Sequence, residues 1–318
     1  AMPSKIGGMT FAGSNNRYNS FQIDGTVSND VFGLASSGTN GGQTGANPIS
    51  MDAIQEIQVV VAPFDVRQSG FTGGGINAIT KQGTNTTKGS AYTYFNNQFM
   101  YGKYSAVRDY AKSELGQQFT RTFGGTLGGA IVKDKLFYFV SAEAQKESYP
   151  ASIYPGYINS YLTSATAKQI ADKYKEYTGI DEAYSQRDVD RKSFGLLARV
   201  DWNINQDHKL ALRYQHNNSF DDNYSPGAYS YVFNNSGASA SFVRDNREVA
   251  YQGPTVQIEN VKGNDGKTNI TANIGTEFSS GANKLDQDIY TFEDNLSWYL
   301  GSHTMTFGTH NEIYRMSN

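Results

Sequence analysis

The most constraining feature of this 318-residue sequence is a series of long segments in which apolar and polar residues alternate. In the clearest segment every second residue is apolar: Phe194, Leu196, Ala198, Val200 and Trp202. Because successive side chains of a β-strand point to opposite faces, this period predicts strands with one apolar face. We predict seven such strands, at residues 87–99, 118–132, 135–147, 192–204, 208–218, 285–300 and 303–316.

The connections between these strands alternate in length. Short turns fall at 133–135, 205–208 and 301–303, whereas the connections at about 148–191 and 219–284 are long and the one at 101–117 is intermediate. With neighbouring strands running in opposite directions, every short turn lies at one end of the sheet. Outer-membrane barrels have short periplasmic turns and long external loops. The pattern therefore predicts a transmembrane antiparallel β-barrel, of which about seven strands are present.

The composition supports an all-β protein and narrows the choice of partners. Apolar residues make up 38% and charged residues 18%, both below the roughly 45–50% and 25% of soluble globular proteins. The difference is filled largely by 33 glycines and 22 tyrosines, which suit turns and strands respectively. The net charge of −3 and the lack of a Lys/Arg block argue against nucleic acid as a partner. The absence of cysteine excludes disulfides and Cys-ligated metal sites.

Residues 1–85 differ from the rest of the chain, since short apolar stretches there are separated by Gly-, Ser- and Asn-rich sequence. Phe21–Gly25 reads FQIDG, and Ala53–Ala62 alternates at first and then becomes a continuous Val run. The segment Ser28–Pro48 between them is a long polar loop. Gly73–Gly75 forms a tight turn before a further alternating strand, Ile76–Thr80.

These motifs resemble the end of the plug domain of TonB-dependent receptors. In that family an I-x-x-I-x-V strand is followed by a Gly-rich turn and an I-N-x-I-T-K strand, after which the chain enters the barrel. The sequences at 62–67 and 301–308 are most similar to the Oar-like branch found in Bacteroidetes and related bacteria. The positions that match the plug motifs are Asp24, Gly25, Arg67, Gly73, Gly74, Gly75, Asn77 and Lys81.

The resemblance implies a domain division and a cellular location. Residues 1–85 correspond to the C-terminal part of a plug, and residues 86–318 to the first strands of a barrel in the outer membrane of a Gram-negative bacterium. Seven strands cannot close, and open edges are not tolerated in lipid. We therefore expect the N-terminal half of the plug, the TonB-box segment and most of the barrel to lie outside this chain.

The resemblance also implies a function: TonB-dependent active transport of a substrate across the outer membrane, gated by the plug. The partners implied are TonB, acting with ExbB and ExbD through the segment outside this chain, the outer-membrane lipid and an unknown substrate. An alternative is a barrel that serves as an adhesin or as a docking platform for surface or secreted proteins, with a surface lipoprotein as partner. A second alternative is a soluble β-rich carbohydrate-binding protein.

No residue pattern points to catalysis, a cofactor or a metal. Gly73–Lys81 lacks the spacing of a phosphate-binding loop, no G-x-S-x-G motif occurs, and the four histidines are scattered without ligand spacing. We therefore expect a protein that is not an enzyme. The candidate substrate contacts are aromatic residues of the long loops, whose rings can stack on a ligand: Tyr149, Tyr154, Tyr157, Tyr224, Tyr229 and Tyr231.

One helix is predicted inside the first long loop. Ser164–Tyr177 has apolar residues at helical spacing, Ser164 is the expected N-cap, and Gly179 is expected to end the helix in a left-handed conformation. We predict that its apolar stripe packs on its own loop rather than on a partner protein.

Overall fold

The structure is a computed structural model of the chain. It describes residues 11, 13, 15, 18–30, 35, 37–39, 42–61, 73–101, 116–151, 153–157, 160–205, 208–222, 230–233, 239–241, 246–248, 254–275 and 286–317. Among these residues, no helix is long and apolar enough to cross a membrane.

Strands dominate the described residues. In chain order the elements are β1 (Ser20–Ile23), β2 (Thr26–Val27), β3 (Ile54–Val61), β4 (Gly74–Thr80), β5 (Lys88–Asn97), β6 (Phe119–Val132), β7 (Leu136–Pro150), α1 (Ser164–Thr178), β8 (Asp188–Asn203), β9 (Lys209–Asp221), β10 (Ser230–Val232), β11 (Ser239–Ser241), β12 (Asn246–Glu248), β13 (Val256–Lys262), β14 (Asn269–Ile274), β15 (Asp286–Leu300) and β16 (His303–Ser317). Short 3₁₀ turns lie at Gly42–Thr44, Met51–Ala53 and Gln98–Tyr101.

The long strands form an antiparallel sheet whose order is β12-β11-β9-β8-β7-β6-β5; its strands β5 to β9 are called the wall below. The pairing of β7 with β8 runs from Leu136↔Trp202 to Pro150↔Asp188 without a shift. β15 and β16 pair with each other as a separate hairpin. The seven strands predicted from alternation are therefore present, and the sheets do not close within the described residues.

The two faces of the wall differ as the alternation predicts. One face carries large apolar side chains that the rest of the described chain leaves uncovered: Phe123, Leu127, Ile131, Phe194, Trp202, Leu212 and Tyr214. The other face meets the N-terminal sheet, and there Phe139 and Leu197 of the wall are buried with Ile23, Ile49 and Ala78. An apolar face directed away from the protein is what a strand in contact with lipid requires.

The N-terminal sheet has the strand order β2-β1-β4-β3. β1 pairs in parallel with β4, in the register Phe21↔Ile76, and β3 pairs with β4 in antiparallel fashion, in the register Ile57↔Ala78. The predicted strands of the plug motif therefore lie side by side. β4 is largely buried, because the N-terminal sheet covers it on both edges and the wall lies next to it.

The two long loops together build a subdomain at the end of the wall opposite the short turns. Its sheet has the order β10-β14-β13. Helix α1 packs on this sheet, since Ala167, Ala171 and Tyr174 are buried in one cluster with Ile270 and Ile274 of β14. Two expectations are corrected here: the helix packs mainly on the second long loop rather than on its own, and its N-cap is a different residue.

The N-cap of α1 is Thr163 rather than Ser164, because the Thr163 hydroxyl accepts a hydrogen bond from the backbone N–H of Thr166 at 3.1 Å. The Ser164 hydroxyl instead donates to the carbonyl of Pro155 at 3.0 Å. The predicted end is confirmed: Gly179 has a φ of 74° and its N–H donates to the carbonyl of Lys175.

The link between the N-terminal sheet and the wall provides the first testable prediction. A Cβ atom at Gly83 would lie within 2.5 Å of the carbonyl oxygens of Tyr138 and Gly129. Gly83→Ala therefore forces backbone to move, and we expect it to destabilise the full-length protein by about 1–3 kcal/mol. The measurement is thermal unfolding of the purified protein in detergent. Gln82→Ala is the control, and an equal unfolding temperature for both variants would contradict the close packing.

Candidate functional site

The site begins at the tight turn between β1 and β2. Asp24 and Gly25 both have left-handed backbone, with φ of 50° and 85°, as an Asp-Gly hairpin turn requires. The turn is held to β4 by two hydrogen bonds, from the Asp24 N–H to the Ala78 carbonyl at 3.0 Å and from the Gly25 N–H to the Asn77 side-chain oxygen at 3.0 Å. Three of the predicted plug-motif residues, Asp24, Gly25 and Asn77, thus fix one turn.

This turn presents the Asp24 carboxylate to the wall. The carboxylate accepts hydrogen bonds from the backbone N–H of Thr80 at 2.8 Å and from the Thr80 hydroxyl at 2.7 Å. On its other side lie two arginines of the wall: Nη1 of Arg199 in β8 at 3.4 Å and Nη1 of Arg213 in β9 at 3.2 Å. A carboxylate of the N-terminal sheet is therefore shared by cations from two neighbouring wall strands.

Both arginines are further fixed. Arg199 donates from Nε and Nη2 to the Asp201 carboxylate at 2.8–3.1 Å and from Nη1 to the Thr80 hydroxyl at 2.9 Å. Arg213 also donates to the backbone carbonyl of Ile23. The arginine side chains are only 13% and 19% exposed. We call Asp24, Thr80, Arg199, Asp201 and Arg213 the ion cluster; its two cations and two anions balance, and the N-terminal sheet supplies one of the anions.

A second polar contact lies where β4 leads into the wall. The Lys81 ammonium is 3.0 Å from the Asp52 carboxylate, which also accepts a hydrogen bond from the Ser90 hydroxyl of β5. The hydrogen bond from Ser90, reinforced by Lys81, holds the pKa of Asp52 below its usual value of 3.8. A lowered folded-state pKa means that this contact contributes its full stability above pH 3.8 and loses it as the pH falls through the lowered value.

Further polar contacts line the rest of the interface. The Ser50 hydroxyl lies 2.9 Å from the Tyr92 hydroxyl and 3.2 Å from the Glu143 carboxylate, and Tyr92 itself donates to Glu143 at 2.5 Å. Farther out, the Pro48 carbonyl accepts hydrogen bonds from Gln215 and from Asn217, the latter at 2.9 Å. The N-terminal sheet and its following loop thus touch the wall largely through groups that water can replace.

A further contact, near the outer end of β9, is a pair of buried hydroxyls. Oγ1 of Thr44 lies 2.6 Å from Oγ of Ser219, and both side chains are nearly inaccessible, at 4% and 3% exposure. Thr44 belongs to the predicted polar loop Ser28–Pro48, and Ser219 lies near the outer end of β9. Contacts of the N-terminal region therefore extend from the short-turn end of the wall almost to its outer end.

The remaining plug-motif positions have local roles or fall outside the description. The Gly73 N–H donates to the Tyr18 carbonyl at 2.9 Å and the Gly74 N–H to the Asn19 side chain at 3.0 Å. Gly75 is buried in β4. Arg67 lies outside the described residues.

The predicted substrate tyrosines are only partly described. Tyr149 is partly buried against Val189, with the Arg191 guanidinium 5.4 Å from its ring. Tyr154 and Tyr157 contact each other with ring centroids 4.9 Å apart. Tyr224 and Tyr229 lie outside the described residues, and of Tyr231 the structure gives the backbone only, in β10. A role in substrate binding remains a prediction for all six.

The loop subdomain contains a groove of about 600 Å³ between α1 and the hairpin of β13 and β14. Its lining is mostly apolar, and it includes Ile170, Tyr177, Val256, Ile258 and Ile274. The alternating pattern did not reveal this groove, because its two sides come from different loops.

The ion cluster was also missed at the level of residues. Asp24 was identified through its motif, and Arg199, Asp201 and Arg213 fall on the polar face of the alternating strands. Their place on the polar face was the only signal in the sequence. No local pattern shows which inward-facing charge contacts which residue of the N-terminal sheet.

Comparison with known proteins agrees with this architecture. Residues 79–155 match a family model described as an outer membrane beta barrel domain. The TonB-dependent transporter Oar of Myxococcus xanthus is 25% identical over 211 residues, which cover 64% of this chain and 19% of that protein. The chain thus spans about a fifth of the length of that relative.

Two of the solved structures to which this chain is similar are receptors. The ferric enterobactin receptor PfeA of Pseudomonas aeruginosa is 15% identical, with 95% of this chain and 42% of that chain covered at a TM-score of 0.47. The siderophore receptor PirA of Acinetobacter baumannii is also 15% identical, with 92% and 40% covered at a TM-score of 0.46.

The wall is thus part of a β-barrel of the Gram-negative outer membrane. The N-terminal sheet, which the motif resemblance predicts to be a plug, lies against the inner face of the wall. The chain is similar to the TonB-dependent transporter Oar. The predicted fold class and location are confirmed. The terms plug and barrel are used below for the N-terminal sheet with its loops and for the wall with β15 and β16.

The ion cluster yields the second prediction. Asp24→Asn removes the one anion that the plug places between two partly buried arginines, so their charges are no longer balanced. We expect the plug of the full-length receptor to be released more easily, by about 2 kcal/mol, measured as the urea concentration at which the plug becomes sensitive to protease while the barrel stays folded.

The matched control is Asp172→Asn, which removes an exposed carboxylate paired with Lys168 on the surface of α1. Such a pair contributes little, so the control should release its plug at the same urea concentration as the wild type. Equal urea midpoints for Asp24→Asn and Asp172→Asn would show that the ion cluster does not hold the plug.

Proposed function

We propose that this chain belongs to a transporter that imports a substrate actively across the outer membrane, with the plug as its gate and TonB as its energy source. The observation that carries the proposal is the ion cluster, in which Asp24 of the plug is held between Arg199 and Arg213 of the barrel. A gate must close the barrel firmly and yet open without unfolding it. A contact made of charged and hydroxyl groups meets both needs, because water can replace each partner once the plug moves.

The position of Asp24 suggests how a pull could open the gate. Asp24 follows directly on β1, a strand of four residues that pairs in parallel with β4. A force on the chain before β1 would first strip these few backbone hydrogen bonds. It would then draw Asp24 away from both arginines, while β3 and β4 stay attached to the barrel through Lys81, Asp52 and Ser90. The barrel strands themselves bear no load in this sequence of events.

TonB, acting with ExbB and ExbD, is the partner proposed to supply this force from the inner membrane. The support is the similarity to Oar, which is a TonB-dependent transporter by name, together with the plug motifs Asp24-Gly25 and Ile76–Lys81. The outer loops are proposed to recognise the substrate. The groove beside α1 has a volume in the range of ligand pockets, and Tyr154 and Tyr157 present adjacent rings nearby in the same long loop.

The third prediction tests the gate by locking it. Thr44 of the plug loop and Ser219 of β9 have side-chain oxygens 2.6 Å apart, and this chain contains no cysteine. In Thr44→Cys/Ser219→Cys, oxidation should tether the plug to the barrel. A deletion strain is first screened for single carbon, nitrogen or iron sources on which it fails to grow. The oxidised variant should fail to restore that growth, and reductant should recover it.

The control is Ser297→Cys/Thr306→Cys, which joins β15 to β16 through side-chain oxygens 3.4 Å apart and leaves the plug free. It should restore growth in both redox states, and the wild type should fail in a strain without TonB. Full growth with the oxidised plug–barrel lock would overturn the gating proposal. Growth of the wild type without TonB would overturn the energy source alone.

A further inference from the structure

The outer face of the barrel carries a row of three cations that the transport proposal does not use. Arg121 of β6 pairs in register with Lys146 of β7, and Lys146 pairs with Lys192 of β8. One aromatic residue closes the row at each end, since Phe95 is opposite Arg121 and Phe220 is opposite Lys192. We call Arg121, Lys146 and Lys192 the basic row.

The basic row faces away from the plug. In each strand, the cation lies an odd number of positions away from a residue whose side chain faces inward. These inward-facing residues are Thr126 in β6, Glu143 in β7 and Arg199 in β8. Because side chains alternate along a strand, the three cations share the face of Phe123 and Phe194, which is the face in contact with lipid.

The basic row also lies at a defined depth. It is two residues outward from Phe123, Ala144 and Phe194, which are paired with one another at the outer limit of the apolar face. In β8 the apolar positions run from Phe194 to Trp202, roughly 26 Å along the strand. The row lies at the end of the strands near the long loops, which is the external end of an outer-membrane barrel. It therefore borders the outer leaflet.

The charges of the row are poorly compensated from within the protein. Among the residues that the structure describes, Arg121 and Lys192 have no ion pair, and the nearest carboxylate of Asp190 is 3.9 Å from the Lys146 ammonium. Asp190 is already engaged by the Ser148 hydroxyl at 2.7 Å. Like charges opposite each other in neighbouring strands destabilise a sheet, so three in succession call for an anion from outside.

The neighbouring aromatic rings favour a ligand at the lipid interface. The Arg121 guanidinium lies 4.7 Å from the ring of Phe119 and 5.7 Å from that of Phe95, and the Lys146 ammonium lies 5.6 Å from the ring of Phe119. Cations held over aromatic faces keep their charge and lose water. Such a site binds an anionic group more strongly than a fully hydrated lysine does.

We propose that the basic row binds the phosphate groups of the phosphorylated glycolipid in the outer leaflet of the membrane. The acyl chains of that lipid would lie on the apolar face below, along Phe123 and Phe194, and its phosphates would reach the level of the three cations. Free phosphate lacks the acyl chains and gains none of this apolar contact. The proposal depends on the location of the barrel and not on what it transports.

The experiment uses the full-length receptor in detergent, with bound lipid counted by native mass spectrometry during titration with bisphosphorylated lipid A. The test variant is Arg121→Gln/Lys146→Gln/Lys192→Gln. Since each basic residue near a lipid surface contributes to anion attraction, the variant should bind this lipid roughly tenfold to a hundredfold more weakly than the wild type. Dephosphorylated lipid A should bind both proteins equally weakly, and inorganic phosphate alone should bind neither.

The control variant, Lys133→Gln/Lys135→Gln/Lys209→Gln, removes the same charge at the short-turn end and should bind bisphosphorylated lipid A as the wild type does. Retained folding is checked by the heat-dependent shift in gel mobility. If the test variant does not fold, the single Lys192→Gln should show a weaker loss of binding and Arg121→Lys should show none. Equal affinity of the folded test variant and the wild type for bisphosphorylated lipid A would overturn the proposal. So would a wild type that binds dephosphorylated lipid A as tightly as bisphosphorylated lipid A.

Discussion

The structure depends on one constraint: a strand within a bilayer has no water to satisfy its backbone or its polar side chains. Its N–H and C=O groups must pair with neighbouring strands, and the side chains on one face must be apolar. The continuous strand pairing from β5 to β9, with one register shift between Ala130 and Val132 of β6, satisfies the first requirement. The uncovered apolar side chains from Phe123 to Tyr214 satisfy the second. Along the apolar-faced part of these strands, the same alternation places polar side chains such as Arg199 and Arg213 on the opposite face, where a plug can use them.

The polar inner face explains why the plug is held as it is. A plug that met the barrel through a large apolar surface would resemble a domain core, and its removal would expose that surface to water at a high cost. Among the described residues the buried apolar contact is small, at Ile23, Ile49, Ala53 and Ala78 of the plug against Phe139 and Leu197 of the barrel. The other contacts described above are hydrogen bonds and the ion cluster, whose groups can each exchange their partner for water. Strength is thus distributed over many replaceable bonds.

Sequence reasoning captured the elements that local rules determine. The alternation of Leu136–Ala144 and Phe194–Trp202 has a period of two, so strand type and facing follow from the residues themselves, and the φ of Gly179 follows from its place at a helix end. The predicted bounds of the seven strands differ from the observed ones by a few residues, because backbone pairing continues into loop sequence that has no alternation, as in β8, which begins at Asp188.

The contacts that local rules do not determine were missed. Asp24 and Arg213 are separated by 189 residues, and α1 packs on β14 about a hundred residues later in the chain. In each case the residues indicated the character of the two surfaces, charged for Asp24 and Arg213 and apolar for α1 and β14, but did not indicate that they are partners. The N-cap of α1 illustrates the same limit on a small scale: Thr163 and Ser164 are both good caps, and Ser164 is taken by Pro155, which lies outside the helix.

Two adjacent residues of β8 show how strongly facing determines the role of a charge. Arg191 points to the inner side, where it lies 3.2 Å from Asp221 and 3.6 Å from Glu147, so its charge is compensated within the protein. Lys192, its neighbour, points to the outer side and pairs in register with another lysine. Two basic side chains at successive positions therefore have different roles. Arg191 forms ion pairs within the protein, whereas Lys192 is a cation next to the lipid, opposite another cation. A barrel strand therefore carries two independent interfaces, one towards the plug and one towards the lipid. The role of a charged residue near either end of the strand depends on which of these two faces it lies on.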